Sequence, residues 1–292
     1  MRYIVGYTDT PSGEDALNLA VRLARSMQRG LDIVIVLRSE ARATLVPVDA
    51  GYEKYLHEAA EEWLHRALTL VPNDMDAKGH IVYAESFAQG LLDTSRDLEG
   101  RMIIVGAARG GLLGRFTIGS VANSLLHSAV VPVALAPQGS VAEVGLEGIS
   151  RITVAVGTRS GAKELVDAGI LAARASRVPL RLVSLVALDA DGVDTPPRVR
   201  AQAEEHAAKT VAYVAEHLPD DIDVTVLTAS GSRVEDAVAA LEWDPGEVVF
   251  VGSSRLAQPR QLFLGTTAAK MLRELPVPMV VVPRDSILTV ED

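Results

Sequence analysis

Two glycines bracket the stretch of sequence best suited to chemistry, because they enclose a loop that a phosphate group could occupy. Gly106 follows a short apolar run, Met102–Val105, and Gly119 stands directly before Ser120 and a stretch with helical periodicity. A strand, a glycine-containing loop and the first amides of a helix together form a natural site for an anion, usually phosphate. We therefore predict an anion site here, with Ser120 as the N-cap of the helix.

The whole stretch is written twice, from Arg101 to Pro137 and again from Glu247 to Pro283. Six residues return at a fixed offset of 146 positions: Gly106, Arg109, Gly119, Leu126, Pro132 and Pro137 recur as Gly252, Arg255, Gly265, Leu272, Pro278 and Pro283. No gap is needed to align them. The chain is therefore interpreted as an internal duplication.

Each copy is preceded by alternating strand and helix patterns, which give the order β-α-β-α-β-α-β-α-β. That order predicts a parallel sheet with right-handed crossovers and helices on its faces. The expected organisation is a first domain over residues 1–138, a linker over 139–150, a second domain over 151–284 and a tail over 285–292. Apolar residues make up 48% of the chain and aromatic residues only 4%, which suits a core of Val, Ile, Leu and Ala.

The net charge and the absence of cysteine exclude several kinds of binding partner and chemistry. A net charge of −10 argues against nucleic acid and against an anionic membrane surface. There is no cysteine, and hence no disulfide or thiol chemistry. We see no signal segment and no apolar run long enough to cross a bilayer, so we expect a soluble cytoplasmic protein without membrane insertion. No metal site and no catalytic residue is predicted from the spacing of the histidines and carboxylates.

The duplicated signature resembles that of a tandem universal stress protein. The nucleotide-binding members of that family carry Gly, two residues, Gly, nine residues, and then Gly with Ser or Thr. The spacing of 13 between the outer glycines fits both halves here. The resemblance implies two open five-stranded parallel sheets of order 3-2-1-4-5, of the flavodoxin or Rossmann-like kind, and an adenine nucleotide, ATP or AMP, as the cofactor.

This chain departs from the family pattern at two places. The middle glycine is replaced by Arg109 and Arg255, and the aspartate that ends the first strand in the family falls on Thr8, with Asp9 one position later. The corresponding turn of the second half has no carboxylate, so we expect any nucleotide in the first half. The candidate residues there are Thr8, Asp9, Gly106, Arg109, Gly119 and Ser120. Their second-half counterparts are Gly252, Arg255, Gly265 and Thr266.

Arg109 leaves two alternatives open. Its guanidinium could hold the phosphates, in which case Arg109→Ala would weaken binding by about 1.5–3 kcal/mol. It could instead fill the space that phosphates need, in which case Arg109→Gly would tighten binding. We favour the second alternative, since both halves have arginine where a small residue is needed.

The resemblance implies a non-enzymatic stress-response or regulatory protein that acts on an unknown protein partner. The alternatives are a ligand-free scaffold and a weak ATP hydrolase or phosphotransferase. The last needs a metal-binding carboxylate near the phosphates, and residues 106–120 contain none. We also expect the two halves to pair through their last strands, Val130–Ala136 and Val277–Val282, because open apolar edges invite association. The chain would then be a monomeric pseudo-dimer.

Overall fold

The computed structural model describes residues 1–39, 50–107, 119–139, 145, 147–156, 162–187, 205, 221–253 and 262–283. The strands of the first half are β1 (Arg2–Gly6), β2 (Gly30–Arg38), β3 (Ala77–Ala84), β4 (Ile103–Gly106) and β5 (Val133–Ala136). Its helices are α1 (Pro11–Met27), α2 (Ala50–Leu70), α3 (Phe87–Asp97) and α4 (Ser120–Ser128).

The second half repeats this arrangement. Its strands are β6 (Arg151–Val156), β7 (Leu180–Ala187), β8 (Val224–Gly231), β9 (Glu247–Gly252) and β10 (Met279–Val282). The helices described are α5 (Ala162–Ser176), α6 (Val234–Ala239) and α7 (Thr266–Glu274). A helix that the sequence suggests between Val199 and Leu218 falls almost entirely outside the described residues.

All ten strands form one sheet of order β3-β2-β1-β4-β5-β10-β9-β6-β7-β8. Each half has the order 3-2-1-4-5, which confirms the predicted fold, and neighbouring strands within a half are parallel. The halves meet through β5 and β10, which are antiparallel, with Met279 opposite Leu135 and Val281 opposite Val133. The two sheets expected from the sequence are thus joined into one, through the strands expected to pair.

The prolines that precede these two strands are compatible with the pairing. The carbonyl oxygen of Pro132 accepts a hydrogen bond from the amide of Ile103, and that of Pro278 accepts one from Val249. Both strands begin one residue after the proline. The missing proline amides therefore lie just outside the ladder, where they do least harm.

Helices cover both faces of the sheet. One core cluster packs α1, α2 and α5 against side chains such as Tyr3, Val5 and Phe250, and the other packs α3, α4, α6 and α7 against side chains such as Ile4 and Val249. Ile4 and Val5 are both fully buried although they point to opposite faces. A sheet covered on both sides needs strands that are apolar on both sides, which explains the uninterrupted apolar runs in the sequence.

The linker is held against α1 at both ends. The amide of Gly139 donates to Asp15 at 2.9 Å, and the amide of Ile149 donates to the Ser26 hydroxyl at 2.8 Å. Asp15 and Ser26 therefore fix where the chain leaves the first half and enters the second. Among the described residues, no helix is long and apolar enough to cross a membrane.

Candidate functional site

The turn between β1 and α1 is fixed by local side-chain hydrogen bonds. Thr10 is the N-cap of α1, and its hydroxyl accepts a hydrogen bond from the amide of Gly13 at 3.3 Å. Pro11 occupies the first helical turn, where a missing amide costs nothing. The hydroxyls of Thr8 and Thr10 are 3.0 Å apart. The candidate residues Thr8 and Asp9 are therefore held in a defined turn at the carboxyl end of β1.

Gly106 lies against this turn. A β-carbon on Gly106 would stand 2.0 Å from the carbonyl oxygen of Ser12, which is far inside any real contact. The Ser12 hydroxyl in turn donates to the carbonyl oxygen of Ala107 at 2.7 Å. The start of α1 is thus packed onto the end of β4 by backbone contact. Packing within the protein is sufficient to require glycine at this position.

Asp9 forms an ion pair with Arg66 of α2. The guanidinium donates to both carboxylate oxygens, at 2.9 and 2.8 Å. The Asp9 side chain is 19% exposed and that of Arg66 is 52% exposed, so the pair lies at the surface of the crevice and water can reach it. The carboxylate proposed to meet a ribose therefore already has a partner, which a ligand would have to displace or accommodate.

A buried phenol lies beside this ion pair. Tyr7 directly follows β1 and is fully buried. Burial raises the pKa of Tyr7, and the negative charges of Asp9 and Glu14 raise it further. A hydrogen bond toward Asp9 acts in the same direction, although no bond of ordinary geometry reaches the hydroxyl within the described residues. The phenol therefore remains a neutral hydrogen-bond donor directed at the Asp9 carboxylate.

The start of α4 differs in detail from the sequence prediction. Gly119, not Ser120, is the N-cap, with φ −69° and ψ 165°, and Ser120 is the first helical residue and exposed. The prediction of Ser120 as N-cap is wrong, because the extended backbone that a cap requires falls one residue earlier. Gly119 has no side chain to accept a hydrogen bond, so the first amides of α4 have no side-chain cap. This is the feature that an anion would use.

The second-half candidates follow the same plan as far as the structure describes them. Gly265 is the N-cap of α7, with φ −71° and ψ 162°, and Thr266 is its first residue. Among the described residues, a β-carbon on Gly252 would touch only a methyl carbon of Leu165, at an ordinary 3.6 Å. The Ser253 hydroxyl accepts a hydrogen bond from the amide of Phe263 at 2.8 Å. The turn after β6, at residues 157–161, lies outside the described part of the chain.

The structure brings Thr8, Asp9 and Gly106 together between β1 and β4. These two strands are neighbours in the sheet, and the chain leaves them toward opposite faces, so their carboxyl ends form the crevice in which open α/β sheets bind ligands. Gly119 begins the helix that leaves this edge. Arg109 and Arg255 lie outside the described residues, and their two alternatives stay open.

Three residues of this crevice were missed from the sequence: Tyr7, Ser12 and Arg66. Of the three, only Tyr7 could have been recognised from the sequence, because it places a polar hydroxyl at the end of an otherwise apolar run. Among the described residues, no group of three or more His, Asp or Glu side chains could hold a metal ion.

Comparisons with known proteins agree with this architecture. The model of the universal stress protein family matches residues 1–137 and again 148–283. A universal stress protein of Mycobacterium tuberculosis is 30% identical over 296 residues, which cover 97% of this chain and all of that protein. A universal stress protein from Archaeoglobus fulgidus has a similar structure, with a TM-score of 0.68, 18% identity, and coverage of 97% of this chain and 98% of that one. A putative universal stress protein from Pseudomonas aeruginosa gives a TM-score of 0.58 at 16% identity, with 97% and 93% coverage.

Proposed function

Since the chain belongs to the universal stress protein family, we propose that it is a non-enzymatic regulatory protein whose first half binds ATP or AMP. Members of the family bind adenine nucleotides, and most are stress proteins without enzymatic activity. The observation that carries the proposal is the crevice between β1 and β4, where the Thr8–Ser12 turn meets the end of β4 and where α4 begins without a side-chain cap. In this proposal the protein works in the cytoplasm on a protein partner.

The residues of the crevice could contact the ribose and the phosphates of a nucleotide. Asp9 would accept hydrogen bonds from ribose hydroxyls, and the Tyr7 hydroxyl next to it would supply a donor. The first amides of α4 and the Ser120 hydroxyl would donate to phosphate oxygens. The bound nucleotide would supply charge and surface rather than a reactive group. Its effect would be to alter the surface that a protein partner contacts.

Binding would involve a competition at Asp9. Arg66 holds both oxygens of that carboxylate, so ribose hydroxyls would have to share or displace the guanidinium. Arg66 belongs to α2, whereas Asp9 belongs to the turn before α1. Occupancy of the crevice would therefore be transmitted to α2 through this one ion pair.

A ligand-free scaffold is the second candidate. It is favoured by the finding that Gly106 is required by Ser12 and that Asp9 is already paired, since both residues then have reasons to be present that involve no nucleotide. In that case the protein would act through its surface alone. A measurement of binding separates the two candidates.

The experiment is calorimetric titration of the full chain with ATP and with AMP, using Gly119→Val and Gly265→Val as a matched pair. Both glycines have an extended backbone that valine adopts, so neither change should unfold the protein. A branched side chain at Gly119 would crowd the phosphates. The proposal requires binding by the parent, loss of binding in Gly119→Val and retention in Gly265→Val. Absence of nucleotide binding by the parent would support the scaffold, and loss only in Gly265→Val would place the site in the second half.

A further inference from the structure

A cleft opens at the amino ends of β1 and β4, at the opposite ends of these strands from the crevice described above. It encloses about 90 Å³ between α1 and α5. Its floor consists of the buried side chains of Phe250 and Val280, and its walls include Met27 at the end of α1 and Leu171 in α5. The interior of the cleft is therefore largely apolar.

Two arginines, Arg29 and Arg101, are among the residues that line the same cleft. Of the fourteen arginines in the described residues, eight form ion pairs with carboxylates: Arg2, Arg25, Arg66, Arg96, Arg151, Arg174, Arg181 and Arg233. The other six have no such pair within these residues: Arg22, Arg29, Arg38, Arg101, Arg177 and Arg273. Within the described ranges, no carboxylate lies within ion-pair distance of Arg29 or Arg101. In a chain of net charge −10, two unpaired cations beside an apolar cavity favour an anionic ligand.

The cleft also contains a hydrogen-bond donor with a poor acceptor. The buried phenol of Tyr3 donates to the sulfur of Met27 at 2.9 Å, and a thioether is a weak acceptor. Burial raises the pKa of Tyr3 to about 12, while the charge of Arg29 and a hydrogen bond from its side chain to the phenol oxygen lower it, so the phenol keeps its proton at neutral pH. A ligand oxygen would be a better acceptor than the sulfur.

The duplication supplies an internal comparison. Arg2 corresponds to Arg151, since these residues begin β1 and β6. Gln28 corresponds to Arg177, since each follows the equivalent helix and has a left-handed backbone. In the same register, Leu171 of the cleft wall corresponds to Arg22 of α1, and Ala175 corresponds to Ser26.

The counterpart of the cleft is filled. The Arg22 side chain is fully buried, and within the described residues none of its three guanidinium nitrogens has a hydrogen-bond partner. Burial lowers the pKa of Arg22, and the charge of Asp244 opposes this. The hydroxyl of Ser26 is bonded to the linker at Ile149. Arg22 and the linker therefore fill the counterpart of the cleft. At the equivalent positions, Leu171 and Ala175 leave the cleft itself open.

We propose that the open cleft binds an amphiphilic carboxylate, with its aliphatic chain between Met27, Leu171 and Phe250 and its head group at Arg29 and Arg101. The apolar walls offer nothing that would recognise the edge of a nucleobase, whereas paired guanidinium groups fit a carboxylate well. The Tyr3 hydroxyl would donate to the same head group. This site is separate from the nucleotide crevice and does not depend on it.

The test is calorimetric titration of the full chain with decanoate, with acetate as the head group alone and decan-1-ol as the chain alone. We expect decanoate to bind at least tenfold more tightly than either. Arg29→Ala and Arg101→Ala should each weaken decanoate binding about tenfold, and Arg273→Ala, which removes an exposed arginine of α7, should not. Excess ATP should leave the decanoate affinity unchanged.

Leu171→Arg is a more stringent test. It introduces into the cleft an arginine equivalent to Arg22, which fills the corresponding space in the other half. We expect it to abolish decanoate binding. If this variant does not fold, the two alanine variants still decide the matter. Failure of the parent to bind decanoate at millimolar concentration would overturn the proposal, as would equal affinity in the Arg29→Ala/Arg101→Ala double variant or competition by ATP.

Discussion

Gly106 and Ser12 touch through their backbones, the α-carbon of one facing the carbonyl oxygen of the other. This contact sets how closely α1 can approach β4, and it accounts for the first glycine of the phosphate-loop pattern without any ligand. Beside the equivalent Gly252, the described residues place only an ordinary contact with a methyl carbon of Leu165, at 3.6 Å. Within the described part of the chain, the tight packing at this motif residue is therefore a feature of the first half.

Gly106→Ala should lower the free energy of unfolding by about 1–3 kcal/mol, because the methyl group can be accommodated only if α1 moves away from β4. Gly252→Ala is the matched control and should lower stability less, because the described residues place only an ordinary contact beside it. Chemical denaturation of the two variants measures both values. Equal effects of the two substitutions would show that the Ser12 contact does not constrain the fold.

Removal of Arg66 should affect binding more than folding. Its ion pair with Asp9 is partly exposed, so Arg66→Ala should change the free energy of unfolding by less than about 1 kcal/mol. The same change should tighten ATP or AMP binding, because Asp9 no longer has a competing partner. Arg96→Ala, which removes a similar surface pair with Asp93, is the control for a general change in charge. Weaker binding in Arg66→Ala than in Arg96→Ala would indicate that the guanidinium contacts the ligand instead.

Among the carboxylates of the second half, we expect the loss of Glu247 to lower the free energy of unfolding the most. It is fully buried and accepts hydrogen bonds from Arg151 at 2.5 Å and Arg181 at 2.6 Å, as well as from Thr153. Glu247→Gln would leave two cations without their counter-charge and should destabilise the protein by about 3–5 kcal/mol.

The control for Glu247 is Asp221→Asn, which breaks the exposed pair with Arg174 and should give no measurable change in the denaturation midpoint. Similar midpoints for the two variants would mean that Glu247 is not held as a buried charge.

Tyr3 should make stability depend on alkaline pH. Its pKa is raised to about 12 in the folded protein, against a usual value of 10.0. Between these values the unfolded chain releases the phenol proton and the folded chain keeps it, so the free energy of unfolding falls as pH rises through this window. The full difference corresponds to about 2–3 kcal/mol. Tyr3→Phe should show a shallower decline between pH 10 and 11 in denaturation experiments, and an unchanged slope would contradict the assignment.

The chain should be a monomer in dilute solution, because each half covers the last strand of the other. A compact monomer of this length should have a radius of gyration of roughly 19 Å, against roughly 25 Å for a compact dimer. Small-angle scattering at several protein concentrations distinguishes the two. The larger radius at the lowest concentration would show that another surface, such as the edge strands β3 or β8, brings copies together.

The strand order was within reach of the sequence, because it follows from a duplicated pattern and from the known topology of the family that the motif resembles. The positions of Gly106 and Gly119 at the two ends of a loop were likewise visible from spacing alone. The partners of these residues were not. Ser12 and Ala107 are separated by 95 residues, and Arg66 and Asp9 by 57. Such contacts depend on which strands are neighbours and how closely the helices pack, and no local pattern records them.

Because β5 and β10 are antiparallel, the strands of the two halves run in opposite directions. The carboxyl ends of β1 and β4 point to one margin of the continuous sheet, and those of β6 and β9 point to the opposite margin. A molecule bound at the ends of β1 and β4 would therefore lie at the opposite margin of the sheet from the ends of β6 and β9. Substitutions at one margin leave the contacts at the other unchanged. The duplication thus gives a single chain two separate ends whose sequences can diverge independently.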